Sequence, residues 1–519
     1  QSNSIQGAER VMQLYEQHRL GAFGKGTKLI AFTMGSVGRY TRLEALNIGA
    51  PFMYCTLSAG DKWNIGQFSY QQMEKFAPGH KIEGEITIPA SKSVAQRAII
   101  AASLAKGESE FQNLSRCDDI DYALGVVKQI GAGVDVLGDN VTIHSKGFKE
   151  ITKQNAVMPH VMTSSFITPN TLNLFVGESG LLSRLCIPIA AQLGEGVTIT
   201  GSGTLLSREM YGCKESLEEF DAKCILSAES TLPAVVSGPL AGGKVTISGK
   251  KGSQLISGLL MALPLSKKNS VLTVTNATSL PYIRLTLDVV SKFGITIESA
   301  EVDGNLVFPI PGKQKYSPAS FAIEGDWSSA SNFIVAGALF GDILLKGLDL
   351  DSFQADRAIV DIIRNCGGYI CQEDDGIRVK MSHLRAFEYD ATNSPDLFPV
   401  LAVLASFCEG ESSIKGVDRL RTKESNRKES IMESLQKMGV KVEVEEGTMY
   451  IEGISYARRL VEGNNIAKGT YNSFNDHRIA MAVYLASLGT PEKMGVDRVE
   501  CINKSFPQFL PLFESLKVK

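Results

Sequence analysis

The sequence lacks the features that mark a secreted, membrane-spanning or metal-binding protein. It has no charged-then-apolar signal segment, and no apolar run reaches the roughly 18 residues that a membrane helix needs. The nine cysteines are scattered, odd in number, and without C-x-x-C pairs or histidines at ligand spacing. We therefore expect reduced thiols in a cytoplasmic protein that binds no metal and does not contact a membrane.

A global excess of charge is also missing. Lysine and arginine number 53 and aspartate and glutamate 56, which gives a formal net charge of −3. This balance gives no indication of a nucleic-acid partner, so any anion site has to be a local cluster of cations. At 519 residues, the chain is long enough for about two to four domains with well-buried cores.

Two patterns alternate from residue 81 onward. A strand, a polar turn and an apolar helix recur six times, at a spacing of roughly 65 to 90 residues. The six turns include residues 91–93, 177–180, 252–254, 327–329, 393–396 and 475–478. Between them a helix, a Gly or Ala break and a β-hairpin recur five times, at 124–136, 219–226, 289–297, 362–370 and 434–442.

This repeat predicts an α/β fold of six β-α-β-α-β-β units, each incomplete alone and arranged as two lobes of three. The chain is expected to cross between lobes near residue 90 and at Gly312 to Pro318. Residues 81–90 and 315–519 then form one lobe and residues 91–314 the other. The last helix, Leu512 to Leu516, lacks strands of its own, and we expect strand 82–88 to pair there. The six helix N-termini would then face one cleft.

Residues 1–80 have a different β-α-β-α rhythm that predicts part of a parallel α/β domain. The stretch M-G-S-V-G-R-Y-T-R-L at 34–43, followed by G-A-P-F-M-Y and by G-Q-F at 66–68, resembles the last third of a type I 3-dehydroquinate dehydratase, a TIM barrel. The resemblance implies substrate contacts for Arg42 and Gln67, but the family's Schiff-base lysine and its histidine lie upstream of this stretch. We expect no dehydratase activity, and association through the apolar surface of a partial barrel.

Five of the six turns in residues 81–519 carry side chains beyond those that capping requires. These are Lys92, Ser93 and Arg97, then Arg184, then Ser253 and Gln254, then Asp396, and finally His477 and Arg478. A basic stretch at 419–427 surrounds Glu424, and Lys504 follows near the C-terminus. Helix N-termini favour anions, arginine clamps phosphate or carboxylate, and lysine acts as a point charge or proton carrier. The pattern predicts a site for small, strongly negative molecules.

Six motifs support a more specific interpretation. They are P-A-S-K-S-V-A-Q-R (89–97), S-L-P-Y-I (279–283), E-G-D-W-S-S-A-S (324–331), K-E-S-N-R (423–427), N-D-H-R-I-A-M (475–481) and N-K-S-F-P (503–507). Residues 81–519 resemble the 3-phosphoshikimate 1-carboxyvinyltransferase (EPSP synthase) family. The resemblance implies a pair of inside-out α/β barrels that closes on shikimate 3-phosphate and phosphoenolpyruvate. It implies a transferase of the shikimate pathway that needs no cofactor.

The resemblance also implies roles by matching position. The residues implied for shikimate 3-phosphate are Ser93, Arg97, Ser253, Ser279, Tyr282, Asp396 and Lys423. Those implied for phosphoenolpyruvate are Lys92, Gly180, Arg184, Gln254, Arg427, Arg478 and Lys504. Asp396 or Lys423 would take the 5-hydroxyl proton, and Glu424, with Lys92 or His477 nearby, would protonate the methylene carbon.

The sequence departs from the family pattern at three positions. Leu181 replaces a threonine, Arg419 replaces an asparagine, and Thr204 stands where an arginine contacts phosphoenolpyruvate, with Arg208 one turn away as a possible substitute. We expect these changes to affect phosphoenolpyruvate affinity and inhibitor sensitivity more than the reaction.

Two alternatives remain. One is the related enolpyruvyl transferase that acts on UDP-N-acetylglucosamine, which usually begins with a lysine–asparagine pair where this chain has Lys92-Ser93. The other is a non-catalytic scaffold within a multifunctional shikimate-pathway polypeptide. The joint presence of Lys92, Asp396 and Glu424 argues against a scaffold.

Overall fold

The computed structural model describes residues 81–156, 172–421, 423–491 and 493–518. The predictions for residues 1–80, including the dehydratase-like segment, Arg42, Gln67 and association through that segment, lie outside this part of the chain. Across the four described ranges the strands form five sheets of four strands and one sheet of two.

The first half of the described chain follows the predicted alternation of strands and helices. Its elements are β1 (Ile82–Thr87), α1 (Lys92–Leu104), β2 (Lys106–Gln112), α2 (Asp118–Ile130), β3 (Gly133–Leu137), β4 (Asn140–Lys146), α3 (Phe148–Ala156), β5 (Asn173–Phe175), α4 (Gly180–Leu193), β6 (Val197–Thr200), α5 (Cys213–Glu218), β7 (Lys223–Ile225), β8 (Ala234–Ser237), β9 (Gly243–Ser248), α6 (Gln254–Ala262), β10 (Ser270–Thr275), α7 (Leu280–Lys292), β11 (Ala300–Val302) and β12 (Asn305–Ile310).

The second half repeats the alternation. Its elements are β13 (Ser320–Ala322), α8 (Trp327–Phe340), β14 (Gly341–Lys346), α9 (Ile359–Asn365), β15 (Tyr369–Glu373), β16 (Gly376–Lys380), β17 (Glu388–Asp390), α10 (Phe398–Phe407), β18 (Gly410–Lys415), α11 (Arg427–Lys437), β19 (Lys441–Glu445), β20 (Thr448–Gly453), α12 (Tyr456–Glu462), β21 (Gly469–Tyr471), α13 (His477–Ser487), β22 (Met494–Val496) and α14 (Phe509–Leu516).

The five four-stranded sheets share one topology, which confirms the internal repeat, and the sixth sheet is the parallel pair β21-β22. The five larger orders are β13-β2-β4-β3, β5-β6-β8-β7, β9-β10-β12-β11, β1-β14-β16-β15 and β17-β18-β20-β19. In each, the first two strands are parallel and the hairpin is antiparallel. The α/β class is therefore confirmed. The predicted inside-out barrels do not include a closed strand barrel, because the described strands form six separate sheets and closure needs one unbroken ladder.

The six helices that follow the polar turns are called the central helices here; they are α1, α4, α6, α8, α10 and α13. The sheets cover these helices with one face. In β4 the residues Val141, Ile143 and Ser145 are buried and alternate with more exposed ones, as expected for a strand with one solvated face. Every residue of α8 except Ser328 is buried, which is typical of a helix surrounded by protein. The buried apolar residues form two clusters: one runs from Ala90 to Ile323, and the other joins 82–88 to 327–516.

The chain crosses between the two clusters at a pair of adjacent connectors. Ala90 forms an isolated bridge with Gly325. The predicted linker at Gly312 to Pro318 is wrong, because Tyr316 is 5% exposed and its hydroxyl donates to the Met261 carbonyl at 2.7 Å. That segment packs on the first cluster, so the second crossing lies at Ile323 to Trp327.

The predicted pairing of strand 82–88 with the sixth unit is also wrong. β1 pairs in parallel with β14 of the fourth unit, and only Ile82 forms a bridge to the C-terminal tail, at Lys517. The reason is the shared topology, since β1 supplies the parallel first strand that the fourth sheet otherwise lacks. β13 does the same for the first unit by pairing with β2. None of the described helices is both long and apolar enough to cross a membrane.

An aromatic cluster attaches α14 to α8, and its removal gives a test of the fold. The rings of Phe333 and Phe513 stack with centroids 4.2 Å apart, and both residues are 0% exposed. We expect Phe513→Ala to lower the free energy of unfolding by about 3–5 kcal/mol, because it leaves a cavity in this core. Urea denaturation followed by circular dichroism measures the change. Phe353→Ala, at a residue 46% exposed, is the control, and equal losses in both variants would contradict the packing.

Candidate active site

Helix N-termini from both apolar clusters meet at one cleft of about 480 Å³. Four of the six central helices begin at a polar side chain that accepts a hydrogen bond from the first turn: Ser91, Ser179, Asp326 and Asp476. Such caps begin each helix at a defined residue, and three of the four residues that follow them, Lys92, Gly180 and His477, line the cleft. The N-termini add a positive field that favours anions.

The structure brings the predicted site residues together. Those that line the cleft are Lys92, Ser93, Arg97, Gly180, Arg184, Ser253, Gln254, Ser279, Tyr282, Asp396, Lys423, Glu424, His477 and Arg478. Arg427 and Lys504 lie just behind this surface. The Lys504 ammonium is 3.7 Å from a Glu424 carboxylate oxygen, and Arg427 is fully buried.

Arg427 is the centre of a buried charge cluster. Its guanidinium lies 2.7 Å from Asp396, 2.7 Å from Glu424 and 2.8 Å from Asp476. Burial favours the neutral form of Asp396, but Arg478, Lys423 and Arg427 outweigh it and hold the pKa well below its usual range. Burial also favours the neutral form of Glu424, but Arg427 and Lys504 outweigh this effect and hold the pKa of Glu424 well below its usual range. Both carboxylates are therefore ionised at neutral pH.

Lys92 has a partner that the sequence analysis missed. Its ammonium lies 2.9 Å from a carboxylate oxygen of Asp119, at the start of α2. Burial lowers the pKa of Lys92, but Asp119 more than compensates, and the net shift is upward. Lys92 is therefore charged in the cleft. The acidic run at 118–121 was the available signal, but nothing in it indicated contact with the first turn.

The other two candidate proton carriers, Lys423 and His477, have pKa values that are shifted downward. Burial lowers the pKa of Lys423, and Asp396 at 3.1 Å only partly offsets this. Burial and the nearby Lys92 hold the pKa of His477 well below its usual range, so its imidazole is neutral. Lys423 is thus the lysine of the pair that releases its proton more readily.

Arg208 occupies the cleft, whereas Thr204 does not line it. The Thr204 hydroxyl donates to Glu178 at 3.1 Å. Two nitrogens of Arg208 are buried without a hydrogen-bond partner among the described residues, as expected for a side chain that binds an anionic ligand. Gly180 permits its approach, since an added Cβ would lie 2.6 Å from Arg208.

Arg419 connects the two halves of the cleft. It follows β18 in the second cluster, but its guanidinium donates to Thr278 and, at 3.1 Å, to the Ser279 hydroxyl, which both belong to the first half. It also lies 3.2 Å from where a Cβ on Gly252 would be. No carboxylate pairs with it in the described ranges. Sequence reasoning noted Arg419 only as a departure from an asparagine.

Comparison with known proteins assigns the family. A model of the EPSP synthase (3-phosphoshikimate 1-carboxyvinyltransferase) family matches residues 76–513. The 3-phosphoshikimate 1-carboxyvinyltransferase of Clostridium kluyveri is 34% identical over 438 residues, which are 84% of this chain and 95% of that protein. The chain belongs to the EPSP synthase family. The corresponding protein of Methanococcus aeolicus is 33% identical and is covered to 96%.

Solved structures of the EPSP synthase family share the fold. The EPSP synthase of Acinetobacter baumannii is 23% identical and aligns with a TM-score of 0.68 over 85% of this chain and 98% of that one. The part of this EPSP synthase family member that the structure describes contains no group of three or more His, Cys, Asp and Glu side chains that could hold a metal ion.

The charge cluster predicts a pH-dependent loss of stability in Arg427→Leu. Asp396 and Glu424 have folded pKa values below their unfolded ones, so their stabilising contribution is present above about pH 4 and is lost as pH falls through the folded pKa. Removing Arg427 takes the nearest cation away from the partly buried Asp396 and Glu424 and the buried Asp476, and we expect a loss of about 3–5 kcal/mol at neutral pH. Their pKa values then rise, so protonation near pH 5 should reduce the loss.

Urea denaturation at both pH values measures this difference. Arg458→Leu is the control, because Arg458 is a partly exposed arginine that pairs with Glu409 at 2.6 Å and Glu462 at 2.7 Å. Such pairs contribute little. A loss in Arg427→Leu that does not change with pH would contradict the charge cluster.

Proposed function

We propose that this protein transfers the carboxyvinyl group of phosphoenolpyruvate to the 5-hydroxyl of shikimate 3-phosphate and releases phosphate. This reaction lies on the route to chorismate and the aromatic amino acids. The observation that carries the proposal is the convergence of cations from both apolar clusters around Asp396 and Glu424. The scattered cysteines make a reducing cytoplasm the expected location.

The charge of the cleft suits these substrates. Two phosphates and two carboxylates bring roughly −5 to −6 of charge at neutral pH. Cations line the cleft at Lys92, Arg97, Arg184, Arg208, Arg419, Lys423 and Arg478. The carboxylates of Asp119, Asp396 and Glu424 at the same cleft offset part of this charge. The positive charge that is left exceeds what a single monoanionic ligand would neutralise, which favours two anionic substrates bound side by side.

The proposed roles follow the predicted ones, with two additions. Shikimate 3-phosphate is held by Ser93, Arg97, Ser253, Ser279, Tyr282, Asp396 and Lys423, and by Arg419. Phosphoenolpyruvate is held by Lys92, Gly180, Arg184, Gln254, Arg427, Arg478 and Lys504, and by Arg208.

The proton steps follow from the charges of these side chains. Asp396, paired with Lys423, accepts the 5-hydroxyl proton as that oxygen attacks C2 of phosphoenolpyruvate. The methylene carbon gains a proton from Lys92, which is charged, whereas Glu424 has to gain a proton before it can donate one. In the second half, Glu424 removes a proton from the new methyl group as the C–O bond to phosphate breaks. Phosphate leaves with the proton that Asp396 took up, and the proton on Glu424 returns to Lys92, so the protons and charges balance over the cycle.

A phosphate-release assay with both substrates tests the proposed function. We expect turnover by the unmodified protein and a roughly 10²-fold or larger fall in kcat for Glu424→Gln, because the amide cannot accept a proton. Glu429→Gln, at the start of α11 and in the same stretch of sequence, is the control. Binding of both substrates without turnover would favour the scaffold alternative.

Arg419 gives a prediction specific to shikimate 3-phosphate. Its guanidinium faces the N-termini of α6 and α7, where Ser253 and Ser279 are proposed to hold the 3-phosphate. A hydrogen bond to a charged group contributes roughly 1.5–3 kcal/mol, so Arg419→Ala should raise the KM for shikimate 3-phosphate about 10- to 100-fold. The KM for phosphoenolpyruvate should change little. Arg421→Ala, at an exposed residue nearby, is the control, and equal effects in both variants would exclude this role.

A further inference from the structure

The fourth of the six turns has no role in the proposed reaction, although its Ser328 contacts Arg478, which lines the cleft. Ser328 is the one residue of α8 that is not buried. Its hydroxyl lies 3.2 Å from a terminal nitrogen of Arg478 and is also hydrogen-bonded to a carboxylate oxygen of Asp356. A hydroxyl has one proton to donate and lone pairs to accept, so Ser328 donates to Asp356 and accepts from Arg478.

Asp356 is a buried carboxylate that forms no ion pair with any lysine or arginine in the part of the chain that the structure describes. It is 1% exposed, and its second oxygen has no hydrogen-bond partner among the described residues. A carboxylate in such a place is costly unless a positive charge compensates it. Burial and the nearby Asp396 raise the pKa of Asp356 to about 7, and the positive charge of Arg478 offsets this only in part. The hydrogen bonds of the described residues connect Asp356 to the Arg478 guanidinium through the Ser328 hydroxyl.

The segment that carries Asp356 is fixed to both chain crossings. The Gln354 side-chain oxygen accepts from the Ser91 hydroxyl at 3.0 Å and from the Trp327 backbone N–H at 3.1 Å. Its side-chain nitrogen donates to the Gly325 carbonyl at 2.9 Å. Ser91 caps α1, which carries Lys92, so this segment holds Asp356 at a fixed distance from the cleft.

The distances from Arg478 to Asp396 show what the hydrogen bond from Arg478 to Ser328 prevents. Its distances to Asp396 are long: 3.4 Å to a carboxylate oxygen and 3.5 Å to the backbone carbonyl. An unrestrained arginine beside a carboxylate forms a closer, two-pronged pair. That pair would occupy Asp396, the proposed base, and would turn the guanidinium away from an incoming anion.

We propose that Asp356, acting through the Ser328 hydroxyl, is a positioning residue that holds Arg478 away from Asp396 and toward the enolpyruvyl donor. This inference rests on the proposed function. The fourth turn thereby serves the same site as the other five, since it orients a ligand-binding side chain supplied by the sixth.

The test compares Ser328→Ala, Ser328→Thr and Asp356→Asn by steady-state kinetics with each substrate varied. Ser328→Ala and Asp356→Asn should raise the KM for phosphoenolpyruvate about 5- to 20-fold and change the KM for shikimate 3-phosphate less than about twofold. Ser328→Thr keeps the hydroxyl and should retain the unmodified values. Asp361→Asn, an exposed carboxylate on the following helix whose partner is Arg364 at 3.5 Å, is the matched control.

A double-mutant cycle with Arg478→Lys separates positioning from a general structural role. If Ser328 acts through the guanidinium, Ser328→Ala should add less than about twofold to the KM of the Arg478→Lys protein. Full additivity, or equal increases in both KM values, would overturn the inference. Unmodified protein that does not turn over these substrates would instead contradict the proposed function, so the two failures are distinguishable.

Discussion

The site depends on how a few buried charges are compensated. Arg427 contacts three carboxylates within 2.8 Å, and these come from the turn before α10, the segment before α11 and the cap of α13. One guanidinium therefore holds three separate segments in register. Together with Arg478 and Lys423 it keeps Asp396 ionised, and together with Lys504 it keeps Glu424 ionised, which fixes their chemical roles.

The repeat explains why these segments meet. Each unit begins its central helix after a strand, four of the six helices are capped by a side chain, and helix N-termini from both apolar clusters meet at one cleft. The units then diverge in chemistry: the first supplies Lys92, the third supplies hydroxyls, and the sixth supplies Arg478. The repeated backbone brings the helix N-termini to one cleft, and side chains that differ between the units give each turn its own chemical role.

Contacts between the two apolar clusters complete the cleft. Arg419 reaches from one half to hydroxyls of the other, and the Leu280 N–H donates to Asn393 across the same boundary at 3.3 Å. Gln354 joins the two connectors where the chain crosses. A ligand bound between Arg419 and Ser279 would therefore contact both halves at once.

The sequence by itself determined the α/β class, the six-fold repeat and the turns that carry Lys92, Asp396, Glu424 and Arg478, because period, capping residues and motif spacing are local properties. It did not determine which strands pair across the repeat, so the partner of β1 and the second crossing were misplaced. Nor did it indicate that Asp119 compensates Lys92, or that Asp356 supports Arg478 through Ser328. Those pairs join residues far apart in the chain, and only tertiary packing decides which buried charge meets which partner.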